Sequence, residues 1–295
     1  MIQTHLERLF PLYIVRLIAL LFITACLGAV SAAQQTDSAE SWLERGNALT
    51  HAERWREASA AYKEALSCKP DVAETHNNLG AVYIQLERYT EAAASLEQAL
   101  RLDPSYAVAR NNLGIVYVRS QRHTEALAQF RQAVKLKPDY AGAYNALGCA
   151  LADVSRYAEA IEALQQALRL QPDFALAHDS LGTVYFDLSQ YEEARDCFMR
   201  AVKLDSREPE AQYHLGMTYY KLRRNKEAIR YLKEAVRLKP DFAEAQYNLG
   251  LLLLHAGQRD AALHQYQTLK TLHPNLAAHL YAVLYRDRII SANRQ

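Results

Sequence analysis

Apolar and small residues return along this chain with a fixed period of 34 positions, and polar residues fill the intervals between them. Glycine marks the register at Gly46, Gly80, Gly114, Gly148, Gly182, Gly216 and Gly250. Counting each repeat from seven residues before its glycine divides the chain into 39–72, 73–106, 107–140, 141–174, 175–208, 209–242 and 243–276. Position 20 of each repeat is then alanine: Ala58, Ala92, Ala126, Ala160, Ala194, Ala228 and Ala262. Position 24 is bulky: Tyr62, Leu96, Phe130, Leu164, Phe198, Leu232 and Tyr266. Position 27 is alanine six times, from Ala65 to Ala235, and then Leu269. Self-similarity at such a period is the mark of stacked repeats, each of which buries its apolar face only against a neighbour.

The pattern also locates the elements. Glycine and alanine remove side-chain bulk, so two helix backbones can approach, and the large residue at position 24 fills the space beside them. Proline at position 32 (Pro70, Pro104, Pro138, Pro172, Pro240, Pro274) ends a helix, because it lacks the amide donor and clashes with the preceding turn. Ser206 is the exception, and Pro209 follows at the opening of the next helix, where proline is tolerated. Glutamate at position 19, from Glu57 to Glu227, suits the positive end of a helix dipole. Each repeat is therefore expected to hold helix A over about positions 2–14 and helix B over about positions 18–31.

Leu79-Gly80 with Tyr83, Leu113-Gly114 with Tyr117, and Leu181-Gly182 with Tyr185 complete a pattern that resembles the tetratricopeptide repeat over residues 39–276. Departures are local: Arg45 stands where leucine is usual, and Leu269 where a small residue is usual. The resemblance implies an all-α fold, a right-handed α-solenoid of seven helix-turn-helix repeats. Helix A would line its concave surface. Such proteins bind peptides there through repeat positions 2, 5, 9, 12 and 13, with position 6 contributing.

Charge narrows the partner. The 34 basic and 33 acidic residues leave a net charge of +1, so no strong field recruits nucleic acid. The N-terminal 1–33 is different material: Arg8 and Arg16 precede an apolar run from Leu17 to Ala33 that ends in small residues. This composition is that of a secretory signal peptide, cleaved after Ala32 or Ala33. The alternatives are membrane attachment through an uncleaved anchor over 17–33, or lipidation of Cys26 within Ile23-Thr24-Ala25-Cys26. All three place the repeats outside the cytoplasm, in a periplasmic or secreted setting. Residues 34–38 read as a polar linker, with Asp37 and Glu40 at capping-box spacing. Residues 277–295 read as a C-terminal capping helix, with Leu276, Leu280, Val283 and Leu284 on its apolar face.

Candidate chemistry is sparse. Cys68, Cys149 and Cys197 fall at three different repeat positions and are expected to be buried thiols rather than a disulfide. His178-Asp179-Ser180 contains the residue types of a catalytic triad, but helix neighbours point about 100° apart and cannot converge. The chain carries no HExxH, CxxC, phosphate-loop or GxSxG pattern, and the expectation is a non-catalytic protein without cofactor or metal.

The informative variation lies on helix A. Position 5 reads Leu43, Asn77, Asn111, Asn145, Asp179, Tyr213 and Tyr247; position 6 reads Glu44, Asn78, Asn112, Ala146, Ser180, His214 and Asn248. Asparagine is a mediocre helix former, and its amide can both donate to and accept from a peptide main chain. The recurrence resembles the asparagine ladder in the repeats of eukaryotic protein O-GlcNAc transferase, whose catalytic domain is absent here. The candidate groove for a protein or peptide partner is thus Asn77, Asn78, Asn111, Asn112, Asn145, Asp179, Tyr213, Tyr247 and Asn248. The competing reading is that these amides are inherited with the repeat and either face solvent or bridge adjacent helices. Two functions remain: an interaction scaffold, or an accessory subunit of an envelope, secretion or glycan-transferring enzyme. A clamp for a C-terminal carboxylate, as in chaperone-binding members, lacks its cations, since Leu43, Val108 and Asn112 hold the basic places.

Overall fold

The computed structural model describes residues 38–285; the N-terminal segment read as a signal peptide, residues 34–37 and residues 286–295 lie outside them. The described residues form fifteen α-helices and no strand. Seven A/B pairs follow in order: α1 Ala39–His51 with α2 Trp55–Cys68, α3 Ala73–Gln85 with α4 Tyr89–Leu102, and α5 Ala107–Arg119 with α6 His123–Leu136. Next come α7 Ala141–Asp153 with α8 Tyr157–Leu170, and α9 Ala175–Asp187 with α10 Tyr191–Leu204. The last pairs are α11 Pro209–Lys221 with α12 Asn225–Leu238, and α13 Ala243–His255 with α14 Arg259–Leu272, followed by α15 Pro274–Leu284. The expected all-α repeat architecture is borne out, with each helix starting one residue earlier than the pattern suggested.

The chain divides into two compact units between Pro104 and Ser105. The first contains α1–α4 and the second α5–α15. In both, helices A and B of a repeat pack closely, and helix B packs on helix A of the next repeat.

The glycine ladder is a packing device. A Cβ added to Gly114 would sit 2.6 Å from Phe130 Cε1, and one on Gly80 2.6 Å from Leu96 Cγ. Position 24 of the same repeat fills that place in the first six repeats; in the seventh, Gly250 faces Leu280 of α15. Leu280 is fully buried and Ala277 and Leu284 are buried beside it, so α15 covers the last pair. Val283, expected on this apolar face, is exposed, and Ala277 takes its place.

Each A-to-B turn is built alike. In the third repeat Arg122 N–H donates to Tyr117 O at 2.8 Å and Gln121 N–H to Val118 O at 2.9 Å, the two bonds of a Schellman motif. That motif needs a left-handed residue at position 15, and Glu53, Glu87, Gln121, Ser155, Ser189, Arg223 and Gly257 all have φ between 56° and 74°. Only the last is glycine. In five of the seven repeats an arginine at position 16 then pairs with the glutamate at position 19, as Arg88 with Glu91 at 2.6 Å, while its guanidinium lies 4.7 Å from the centre of the Tyr83 ring. The ion pair is half exposed and contributes little by itself. Ser38, rather than Asp37, caps α1, accepting from Ser41 N–H at 3.1 Å.

Candidate functional site

Positions 5 and 6 of helix A are brought together across repeats. Asp179 Oδ1 lies 3.0 Å from His214 Nδ1, and Asn248 Nδ2 donates to Tyr213 Oη at 3.1 Å. In each case position 5 of one repeat meets position 6 of the next, 35 residues on. In the first unit Asn78 Nδ2 donates to Asn47 Oδ1 at 3.2 Å, Tyr62 Oη donates to the same oxygen at 2.7 Å, and Asn77 Nδ2 donates to Asn78 Oδ1 at 3.1 Å. Asn47 and Asn78 thus bond to each other. Bridging between adjacent helices therefore occupies several of the candidate residues.

Asn111 and Asn145 differ. They are only 6% and 7% exposed, and the Oδ1 of each is a buried acceptor with no hydrogen-bond partner among the described residues. The register supplies the reason. Position 6 of the repeat after Asn111 is Ala146, which has nothing to donate. The repeat after Asn145 offers Ser180, whose hydroxyl accepts from Cys149 Sγ at 3.3 Å and is not paired with Asn145. Asn77 is buried likewise, and Asn78, Asn112, Asp179, Tyr213, Tyr247 and Asn248 are half-buried.

Two adjoining chambers lie on α9–α11, and the sequence reading missed them. The smaller, about 130 Å³, is lined by Thr183, Phe186, Phe198, Tyr213, His214 and Met217. Its wall is aromatic: the Phe198 and His214 ring centres are 5.3 Å apart, and those of Tyr213 and His214 5.7 Å. The larger, about 580 Å³, shares His214 and adds Phe174, Leu176 and the carboxylates Asp179, Asp205, Glu208 and Glu210. Glu208 and Glu210 share a proton. The hydrogen bond to Glu210, then burial, then the charges of Glu210, Asp205 and Asp179 push Glu208 up to about 7. Glu210 is held down at about 2, first by the hydrogen bond from Glu208 and then by Lys239, whose Nζ lies 2.7 Å from its Oε1. The signal in the sequence was present, as Phe186 and Met217 stand at positions 12 and 9, but α10 supplies Phe198 and only packing unites them.

The remaining chemistry is dispersed. His178 Nε2 contacts Pro172 O at 2.9 Å, Asp179 turns to His214 and Ser180 to Cys149, so the triad residue types diverge as helical geometry requires. Cys68 is exposed, contrary to the expectation of a buried thiol, because position 30 ends helix B at the surface. Cys149 and Cys197 are half-buried, and burial raises both, Cys197 to about 11, which disfavours the reactive thiolate. Among the described residues no three His, Cys, Asp or Glu side chains are placed to hold a metal ion. No helix among them is long and apolar enough to cross a membrane.

Models described as tetratricopeptide repeat match residues 37–105 and 71–139, and again 145–209, 180–241 and 213–277. The chain belongs to the tetratricopeptide repeat family. Its fold is similar to that in the crystal structure of the APC/C hetero-tetramer Cut9-Hcn1, with a TM-score of 0.72 at 20% identity over 90% of this chain. The chain spans about half of that one, 52%. It is also similar to PilF of Pseudomonas aeruginosa, with a TM-score of 0.64 at 24% identity over 74% of this chain and 97% of that one. The type IV pilus biogenesis factor PilW gives 0.63 at 24% identity, over 68% and 94%. No curated relative matches the chain. Tetratricopeptide proteins bind protein or peptide partners, and at these identities the solved structures speak for the fold.

Proposed function

We propose that this tetratricopeptide chain is an exported, non-catalytic scaffold that holds an extended segment of a partner protein on its helix A surface. The observation that carries the reading is the pair of buried, unsatisfied amide oxygens of Asn111 and Asn145. A buried acceptor left unpaired costs about 1–3 kcal/mol, and rotation of the amide toward the groove would let main-chain N–H donors of a bound peptide recover that cost. Within the second unit Asn112, Asp179, Tyr213, Tyr247 and Asn248 extend the polar row, and Asn77 and Asn78 hold the same repeat positions in the first unit. The charged and then apolar pattern of residues 1–33 supports export.

Selection of a random peptide library on the purified chain tests the clamp. Peptides recovered by the native chain should bind the Asn111→Ala, Asn145→Ala variant about 10-fold or more weakly, the equivalent of one or two lost hydrogen bonds. Equal binding would remove the asparagines from the site. Intact-mass analysis of the protein from its native host tests export. A chain beginning near Gln34 supports cleavage, and one beginning at Met1 opposes it.

A further inference from the structure

We infer that the two chambers on α9–α11 form a specificity site for a partner segment that presents an aliphatic side chain and an arginine two residues apart. The inference rests on the scaffold reading and names the chemistry that such a scaffold would select.

Shape assigns the first anchor. A cavity of about 150 Å³ lined by apolar side chains takes a benzene ring, so the chamber of about 130 Å³ between Phe186, Phe198, Tyr213 and Met217 suits a leucine or methionine. Its lining rings are held: Asn248 bonds the Tyr213 hydroxyl, and Phe242 packs on the Tyr213 ring at 5.0 Å. The chamber is therefore formed before a ligand arrives, which spares the ordering cost of binding.

Charge assigns the second. The larger chamber sets carboxylates around an apolar floor of Phe174, Ala175, Ala201 and Ala211. Glu210 is already matched by Lys239, and Asp179 is hydrogen-bonded to His214. Asp205, whose Oδ1 accepts from Arg207 N–H at 2.9 Å, and Glu208, hydrogen-bonded to Glu210, have no ion pair among the described residues, so above pH 7 their charges remain for a cation from outside. The carboxylates do not converge as metal ligands do. They are spread around a long cavity, which fits a guanidinium: it forks to two carboxylates and stacks on an aromatic face such as Phe174. Leu176 stands at the rim, 58% exposed, the most exposed of the large apolar side chains described. It gives the aliphatic stem of an arginine a surface to cover.

Position joins the two anchors. The imidazole of His214 lines both chambers, so they adjoin. Side chains i and i+2 of an extended peptide project to one side about 6.7 Å apart, the offset that two such neighbours require.

The test uses the full chain and a fluorescein-labelled peptide of nine residues. The peptide is serine and threonine except for one arginine and one leucine at i and i+2, and anisotropy is read at pH 8 and low salt. Replacing the peptide arginine by glutamate, or its leucine by serine, should each weaken binding at least 10-fold. So should Asp205→Asn with Glu208→Gln, and Thr183→Phe, which fills the smaller chamber. Circular dichroism and the melting temperature of each variant establish that it folds, and the peptide changes are independent of folding. Equal binding of the glutamate peptide, or equal binding by the Asp205→Asn, Glu208→Gln chain, overturns the proposal. Binding that is lost only in the Asn111→Ala, Asn145→Ala chain overturns it too, while leaving the scaffold reading intact. If no peptide of this class binds, the proposal fails, and the library selection then judges the scaffold reading alone. Self-association that Thr183→Phe abolishes would assign the chamber to a second copy and overturn the partner assignment.

Discussion

Asp179 and His214 stand 35 residues apart in the chain and 3.0 Å apart in space, carboxylate against imidazole. The offset is one repeat plus one residue, so position 5 of α9 meets position 6 of α11. Tyr213 and Asn248 repeat the relationship one step later. The contact ties neighbouring A helices by their polar faces, beside the apolar packing that ties them elsewhere.

A double-mutant cycle measures this tie. Tyr213→Phe and Asn248→Ala should each destabilise the chain in urea, and the pair should show a coupling of about 0.5–1.5 kcal/mol, the net worth of one partly buried hydrogen bond. The same cycle on Asn145 and Ser180 should show coupling near zero, because the Asn145 Oδ1 has no hydrogen-bond partner.

Close approach at the glycine ladder predicts a second effect. Gly114→Ala should cost about 1–3 kcal/mol in denaturant unfolding, since its Cβ would meet the Phe130 ring at 2.6 Å. Adding Phe130→Ala should recover part of the loss, because it removes the ring atoms that the added Cβ would meet. A fully additive double variant would contradict the packing account.

The turn between helices A and B predicts a gain. Gln121 sits at φ 59° in the left-handed region, which costs a side chain about 1–2 kcal/mol, against about 0.5–1 kcal/mol of extra unfolded-state entropy for glycine. Gln121→Gly should therefore raise stability by about 0.5–1 kcal/mol, seen as a higher urea midpoint with an unchanged slope. The seventh repeat already carries Gly257 at this position.

The paired carboxylates predict a pH dependence. Glu208, raised from an ordinary 4.5 to about 7, stabilises the native state below 4.5, and that contribution is lost as pH rises through 7. Glu210, lowered to about 2, contributes above 4.5 and loses its contribution as pH falls through 2. The pair therefore favours the fold most near pH 4.5. For the arginine peptide the direction reverses: binding should strengthen between pH 6 and 8 as Glu208 loses the shared proton. The facing charges are Asp179, Asp205, Glu210 and Lys239, with His214 across the chamber. Glu208→Gln should flatten the profile, and raised salt should shrink it, because Glu210 and Lys239 are about two-fifths exposed. A profile unchanged by Glu208→Gln would assign the titration elsewhere.

By itself the sequence determined the helices, their pairing and which positions pack. Glycine at position 8 and alanine at 20 and 27 permit only one close approach, and proline at 32 stops helix B, so a local pattern suffices to specify a repeat. The asparagines were legible as a row but not as individuals. Whether an amide is satisfied depends on the residue one repeat and one position away: for Asn111 that is Ala146, and for Asn145 it is Ser180, which is paired with Cys149 and not with Asn145. The chambers were not legible at all. Phe186, Phe198 and Met217 come from three helices, and Glu208 and Asp205 from the turn between two of them. Tertiary structure alone decided those neighbours, because periodicity sets which face a side chain is on, while the partner across that face is set by how successive repeats stack.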